Sequence, residues 1–408
     1  MDVVHACCAG LDVHKATVVA CVRDARERRT EVETQTFGTV TRELLRLLQW
    51  LTQRGVTHVA MEATGVLWKP LYNVLEGNVE LLLVNARHIK QVPGRKTDVR
   101  DAEWIAQLLQ HGLLSPSFVP PRSQRQLRDL TRHRTQLRAE QTRVANRIHK
   151  TLEDANIKLG AVASDILGVS GRHMLEGLIE GETDAAALAD RSKGRMRRKR
   201  AALEQSLEGC VDDHHRFMLR LLLDHLHQLE TMVAQLDERI GEQLRPFEAQ
   251  LGLLRTIPGW KEQVAAAVFA EIGPNMNVFP TAGHLASWAG VCPGNNESAG
   301  KRKSGRTTRG NRWLRRALTQ GAWAAARTKG GYLETYYRRL ARRRGRKRAV
   351  VALSHTMLGI AYHILSTNQP YQDLGADYLD RQDADRTRRG LVRRLEGLGY
   401  VVNLEAAA

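Results

Sequence analysis

Four acidic residues carry the clearest chemistry in this sequence. Asp12 ends an apolar run in Cys8-Ala9-Gly10-Leu11-Asp12-Val13-His14-Lys15, and Glu62 closes a second run, His58-Val59-Ala60-Met61-Glu62. Asp98 and Asp101 follow in Lys96-Thr97-Asp98-Val99-Arg100-Asp101-Ala102-Glu103. Their i, i+3 spacing puts both on one face at the start of a helix. Carboxylates held together repel one another unless a divalent cation lies among them, and hard oxygen ligands suit Mg²⁺ or Mn²⁺. Such a set performs metal-assisted phosphoryl transfer. Each residue alone reads equally well as a strand end or a helix cap. The ordered set, one carboxylate from each of two strands and a pair from a helix, is what points to a site.

A second chemical stretch runs from Ala289 to Arg316. Between Lys301 and Arg316 eight of sixteen residues are basic and none is acidic: Lys301, Arg302, Lys303, Arg306, Arg309, Arg312, Arg315 and Arg316. Glycines among them let the backbone approach a ligand closely. A serine at the entrance of such a loop can attack phosphorus, because nearby cations stabilise the alkoxide and the transition state. On the residues alone Ser298, Ser304, Thr307 and Thr308 are equivalent candidates, and a serine that only caps a phosphate-binding loop is the plainer alternative.

The elements that must position these groups follow from apolar periodicity. Val3 to Asp12, Thr17 to Arg23 and Glu31 to Phe37 read as three strands of an antiparallel meander. A helix follows from Thr41, with Leu44, Leu45, Leu48 and Leu51 expected on one side. A fourth strand ends at Glu62, a short helix covers Leu67 to Leu75, a fifth strand covers Glu80 to Asn85, and a helix runs from about Asp98 to Leu114. Three strands, helix, strand, helix, strand, helix is the order of the ribonuclease-H-like fold, in which carboxylates gather at strand ends and on the last helix.

Ser115 to Pro121 is proline-rich and marks a boundary. Beyond it Leu127, Leu130, Leu137, Val144, Ile148 and Leu152 form a narrow apolar stripe, matched by Leu219, Leu222, Leu226, Leu229, Val233, Leu236 and Ile240. Stripes of this kind need a partner helix, so 122–157 and 212–245 are read as arms of a coiled coil, packed on each other or on another subunit. Between them Arg191 to Arg200 holds seven basic residues in ten. Such a run is a solvated face or a phosphate contact. Leu253 to Trp260 with the helix Glu262 to Ile272 resembles a helix-hairpin-helix, although Trp260-Lys261 stand where a second glycine is usual. Phosphate gripping and simple packing remain equal readings of that turn. Gly310 to Thr328 is a basic amphipathic helix. Arg338 to Arg348 has eight basic residues in eleven, and the helix Val350 to Ser366 is apolar enough for a core. The expected division is 1–115, 122–245, 246–370 and a tail, 371–408, with a short amphipathic helix at Leu391, Leu395 and Leu398.

The 408 residues include 62 Lys and Arg against 44 Asp and Glu, a net charge of +18. That balance suits a polyanion, nucleic acid first. No apolar run approaches the roughly 20 residues of a bilayer-spanning helix, and the first residues lack a signal core, so a cytoplasmic protein with no membrane partner is expected. The five cysteines show neither zinc nor disulfide spacing.

Gly10-Leu11-Asp12-Val13-His14-Lys15, Met61-Glu62-Ala63-Thr64-Gly65, Lys96-Thr97-Asp98-Val99-Arg100-Asp101-Ala102, Pro293-Gly294-Asn295-Asn296-Glu297-Ser298-Ala299-Gly300-Lys301 and Arg309-Gly310-Asn311-Arg312-Trp313-Leu314-Arg315 stand in an order that resembles the DEDD transposases of insertion sequences, the insertion-sequence-one-hundred-ten family. The resemblance covers nearly the whole chain. It implies a RuvC-like amino-terminal domain, coiled-coil helices and a mainly helical carboxy-terminal transposase domain. It also implies Mg²⁺ held by Asp12, Glu62, Asp98 and Asp101, with Ser298 attacking a DNA phosphate to give a 5′-phosphoserine linkage. The partners it implies are donor and target DNA, a bridge-type guide RNA, and further copies of the chain as a homodimer that assembles to a homotetramer, active in the bacterial cytoplasm on the nucleoid. Two other readings fit the residues: a metal-dependent junction nuclease that uses water, and a nucleic-acid-binding protein whose carboxylates are structural.

Overall fold

The computed structural model describes residues 2–27, 29–63, 65–85, 101–294, 296–298, 300–382 and 384–405, with the backbone alone at 296–298, 302, 303, 386 and 387. Two compact units divide at Pro120 and Pro121.

In the first unit β1 (Cys7–Val13), β2 (Thr17–Asp24), β3 (Glu31–Gly38), β4 (His58–Glu62) and β5 (Glu80–Val84) form one sheet in the order β3-β2-β1-β4-β5. The first three are an antiparallel meander, as the short polar turns between them lead one to expect, while β1, β4 and β5 run parallel. The central strand β1 is buried along nearly its whole length, and both faces are covered. The edge strand β3 exposes Glu31, Val32, Thr34 and Thr36, so its exposed positions are mostly polar.

One face packs on α1 (Thr41–Gln53) and α2 (Trp68–Leu75), where Ala9, Leu11, Val59 and Met61 meet Leu44, Leu47, Leu51 and Leu71. The leucine stripe of α1 is therefore Leu44, Leu47 and Leu51. Leu45, expected inside, is 53 % exposed. The other face packs on α3 (Asp101–Gln110) through Cys8, Ala60, Val84, Ile105, Leu108 and Leu109. α3 closes before Leu114 because Gly112 turns left-handed (φ 66°) and the amides of Gly112 and Leu113 bond back to Leu109 and Leu108. β1 starts at Cys7, not at Val3, because the amides of Val4 and His5 bond to the carbonyl of Gln110 at the end of α3.

The second unit is mostly helical. α4 (Arg122–Asp154) continues through the short helices α5 (Leu159–Val162), α6 (Val169–Glu180) and α7 (Ala185–Asp190), a 3₁₀ turn Gly194–Lys199 and α8 (Arg200–Leu207), and returns along α9 (Asp213–Leu244). The two long helices pack on each other within this chain, antiparallel: Arg134 pairs with Asp237, and His215 at the start of α9 lies 3.3 Å from Asp154 at the end of α4. The Leu and Val stripes form their seam, and the intervening helices cap its far end with Met174, Leu175, Leu178, Leu188 and Leu203.

Then come α10 (Glu248–Arg255), α11 (Glu262–Ile272), α12 (Ala282–Ala289), a hairpin of β6 (Asn296–Ser298) and β7 (Lys301–Ser304), α13 (Arg312–Ala325), α14 (Tyr332–Arg344), α15 (Arg346–Thr367), α16 (Tyr378–Gln382) and α17 (Ala384–Glu396). Contrary to the expectation that no stretch approaches bilayer-spanning length, helix α15 is long and apolar enough to cross a bilayer; it buries Leu353, Met357, Leu358, Ala361 and Ile364 in this unit, as a core helix does. The turn before α11 is used for packing. Trp260 is buried, and a Cβ at Gly259 (φ 84°) would lie 2.5 Å from the amide of Ala325 in α13.

Gly10 sets the distance between sheet and α3. A Cβ there would overlap the carbonyl oxygen of Ala102 and the amide of Ala106. Gly10→Ala is expected to cost about 1–3 kcal/mol through overpacking and Gly10→Val more, read as lower urea midpoints with an unchanged slope. Unchanged midpoints would show that α3 does not press on this strand.

Candidate active site

Asp12 and Glu62 occupy corresponding positions at the ends of neighbouring parallel strands. The β1–β4 register pairs Gly10 with Ala60 and Leu11 with Met61, and each carboxylate is the next residue along. Side chains alternate across a sheet, and adjacent strands lie about 4.8 Å apart. Leu11 and Met61 face α1 and α2, so Asp12 and Glu62 face the side that carries α3. Asp101 opens α3, one residue before the Ala102 carbonyl that rests against Gly10. Asp12 and Glu62 thus share one face at one end of the sheet, and Asp101 begins the helix that packs on that face. Asp98 lies outside the described residues.

The Asp12 carboxylate is partly exposed and has His14 Nε2 3.0 Å from its Oδ2. Among the described residues no group of three or more His, Cys, Asp or Glu is gathered closely enough to hold a metal ion. Carboxylate oxygens are nevertheless the donor type that a hard divalent cation takes.

The second expected group lies on the β6–β7 hairpin. Ser298 is the last residue of β6 and pairs in register with Lys301 across a turn that includes Gly300 (φ 71°). The hairpin was not legible in the sequence: Asn296-Glu297-Ser298 and Lys301-Arg302-Lys303-Ser304 have no apolar alternation, and the one available signal was the glycine between two short polar runs. Its base is closed by glycines. The amide of Gly294 bonds to the carbonyl of Arg306 at 3.1 Å, and a Cβ on Gly290, the left-handed cap of α12, would lie 2.7 Å from the Cα of Gly310. Lys301, Arg306, Arg309, Arg312 and Arg316 are exposed. Arg315 turns back to hold the loop, donating to the carbonyls of Thr308 (3.4 Å) and Arg309 (3.2 Å). The side chains of Ser298, Arg302 and Lys303 lie outside the described residues.

What fixes this loop is a buried charge cluster that the sequence reading missed. Asn311 caps α13, its Oδ1 accepting from the amides of Trp313 and Leu314, while its Nδ2 donates to Glu271 Oε2 at 2.6 Å. Glu271, on α11, is 2 % exposed. Arg132 of α4 grips it with two parallel bonds of 2.7 and 2.8 Å, and Arg128 adds an ion pair at 3.4 Å and donates to the carbonyls of Ala270 and Glu271. Arg128 and Arg132 also lie over the rings of Trp288 and Trp313. Burial lowers the Arg128 pKa to about 10, Glu271 opposes the shift, and the guanidinium remains charged at neutral pH. One carboxylate therefore joins the long helix α4, the core helix α11 and the residue that ends the basic loop. Its signal was a single acid in the otherwise apolar run Val264 to Ile272.

Residues 9–157 match the DEDD family of IS110 type, described as a transposase, and residues 251–338 match the transposase family IS116/IS110/IS902. The uncharacterized 43.6 kDa protein of insertion element IS110 from Streptomyces coelicolor is 27 % identical over 304 residues, 69 % of this chain and 73 % of that one. The uncharacterized 44.8 kDa protein of insertion element IS116 from Streptomyces clavuligerus is 28 % identical over 269 residues, 58 % of this chain and 65 % of that one. A pilin gene-inverting protein from Moraxella bovis is 25 % identical over 154 residues, 36 % of this chain and 48 % of its own length. These matches define an enzyme that acts on DNA. The chain belongs to the IS110 family of transposases.

Removing the carboxylate at 271 leaves two guanidinium groups facing each other without their anion. Glu271→Ala is expected to cost about 3–5 kcal/mol, and Glu271→Gln less, because the amide oxygen still accepts. Urea unfolding measures both; an alanine variant as stable as the parent would remove this cluster from the account.

Proposed function

We propose that the protein is an RNA-guided DNA recombinase of an insertion sequence, cutting and rejoining donor and target DNA through a 5′-phosphoserine intermediate. In this reading the first unit is a ribonuclease-H-like, RuvC-like domain whose Asp12, Glu62, Asp98 and Asp101 hold Mg²⁺. Residues 122–245 are the coiled-coil region, 246–370 the transposase domain and 371–408 a tail. The observation that carries the reading is the equivalent placement of Asp12 and Glu62 on adjacent strand ends, on the face where Asp101 begins its helix. The pilin gene-inverting relative adds support, since inversion of a gene is a recombination of DNA.

The chemistry is balanced within the site. The bound cation would polarise the scissile phosphate and neutralise charge on its oxygens. Ser298 Oγ forms a bond to phosphorus as the bond to the 3′ oxygen breaks; the serine gives up its proton and the leaving oxygen gains one. The ester so formed keeps the phosphate linkage at the enzyme, so attack by another 3′ hydroxyl rejoins DNA and frees the serine without an external energy source. Lys301, Arg302, Lys303, Arg306, Arg309, Arg312, Arg315 and Arg316 surround the phosphate backbone with positive charge and stabilise the transition state. Serine and carboxylates belong to different units, so the composite site forms by docking of the two units or by exchange between copies in a dimer or tetramer. Sequence choice by base pairing to a guide RNA leaves the protein to read mainly backbone shape, which a chain with many arginines and few aromatics does well. The compartment of this reaction is the cytoplasm.

Two variants separate the readings, incubated with donor and target DNA, guide RNA and Mg²⁺ and run on denaturing gels. Ser298→Ala should lose both the covalent protein–DNA adduct and recombination, and Asp12→Asn should lose the adduct as well. Cutting retained by Ser298→Ala would assign the attack to water, and an Asp12→Asn protein with full activity would make the carboxylates structural.

A further inference from the structure

The exposed face of α13 carries a feature that a purely backbone-reading surface does not need. Arg312, Arg315, Arg316, Thr319, Gln320 and Trp323 recur at steps of three and four and line one open cleft of about 470 Å³. The opposite face, Leu314, Ala317, Leu318, Gly321, Ala322 and Ala325, is buried, so the helix cannot turn the cleft residues inward. At the amino-terminal end the cleft is cationic. At the other end stands Trp323, 38 % exposed and edge-packed on Tyr337 of α14 at 5.9 Å between ring centroids. Between them lie an exposed amide and a half-buried hydroxyl, whose Oγ1 donates to the carbonyl of Arg315. No acidic residue occurs from Gly300 to Leu333, so the helix brings no negative charge of its own to this face.

We infer that this cleft binds single-stranded nucleic acid, with Trp323 stacking on an unpaired base while Arg312 and Arg316 hold the backbone and Gln320 meets the base edge. Duplex bases are stacked on each other and present no π-face to a side chain on a helix surface, whereas an unpaired base presents one on either side. A tryptophan left in water at the end of a cationic track is the arrangement such a strand recognises. Arg312 to Trp323 spans about 16 Å of helix, the length of about five stacked nucleotides. Arg315 is already engaged with the carbonyls of Thr308 and Arg309, which ties the cleft to the basic loop next to Ser298. The inference deepens the proposed recombinase reading by naming the state of the nucleic acid at this face, an unpaired guide segment or a melted DNA strand. Its test requires no catalysis.

The full-length protein is titrated with single-stranded RNA, single-stranded DNA and duplex DNA oligonucleotides that carry 2-aminopurine, whose emission falls when the base stacks. Trp323→Leu should weaken single-strand binding about 5- to 100-fold and abolish the quenching, with duplex binding unchanged. Trp323→Phe, which keeps an aromatic face, should retain most of both. Arg316→Ala should reduce the salt dependence of single-strand binding by about 0.7 in log–log slope. The ratio of RNA to DNA affinity identifies which strand the cleft prefers. Equal loss on duplex and single strand, or no loss with Trp323→Leu, overturns the inference. So does a changed oligomeric state with oligonucleotide binding intact, which would assign the cleft to a second copy of the chain. A Ser298→Ala protein that binds and quenches normally but forms no adduct keeps this result separate from the recombination reading.

Discussion

Helix α3 can rest on the central strand only because residue 10 has no side chain. The carbonyl of Ala102 and the amide of Ala106 fill the space a Cβ would take, so the helix backbone lies directly on the strand backbone. Strand pairing sets where Asp12 and Glu62 end up, and this contact sets how near the start of α3 comes to them. Had residue 10 been larger, the helix would stand away from the sheet, and Asp101 would move with it. Cys8 and Ala60, both small and fully buried, extend the same close seat along the face.

The second unit meets a comparable problem with charge. A loop made of glycines and cations has no core of its own, so it must be fixed at its ends. Asn311 does this by capping α13 and reaching Glu271, which two arginines of α4 hold from the other side. Buried ion pairs repay their desolvation only with good geometry and further hydrogen bonds, and a single acid facing two arginines and an amide, with each guanidinium lying over a tryptophan ring, meets both conditions. The effect is positional: the long helix and the serine-bearing hairpin share one reference point.

Much of the first unit could be read in the sequence because its strands are short, mostly apolar runs bounded by polar turns; the places of Asp12 and Glu62 at strand ends follow from that. The start of β1 could not, since Val4 and His5 give their amides to the end of α3, a partner distant in sequence. Nor could the phase of α1, whose leucine-rich run offers overlapping stripes of which packing selects one. The helices between the long arms are only four to twelve residues long and acquire an apolar face only where the arms supply the other half of the core. The β6–β7 hairpin is polar on every side, and the Glu271 cluster joins residues from three segments, so neither leaves a periodic trace. For the site itself, residue type and order pointed to the carboxylates, while spatial agreement between Asp12 and Glu62 required the strand register.

The central claim is that carboxylate-held metal and the Ser298 hydroxyl act on the same phosphorus. Sulfur substituted for a non-bridging oxygen at the scissile phosphate tests it most directly, with Ser298–DNA adduct formation measured in Mg²⁺ and in the more thiophilic Mn²⁺. The account predicts that the sulfur slows adduct formation in Mg²⁺ and that Mn²⁺ restores it. Adduct formed at the same rate with oxygen and sulfur in Mg²⁺, for both diastereomers, would mean that the metal does not touch that phosphate.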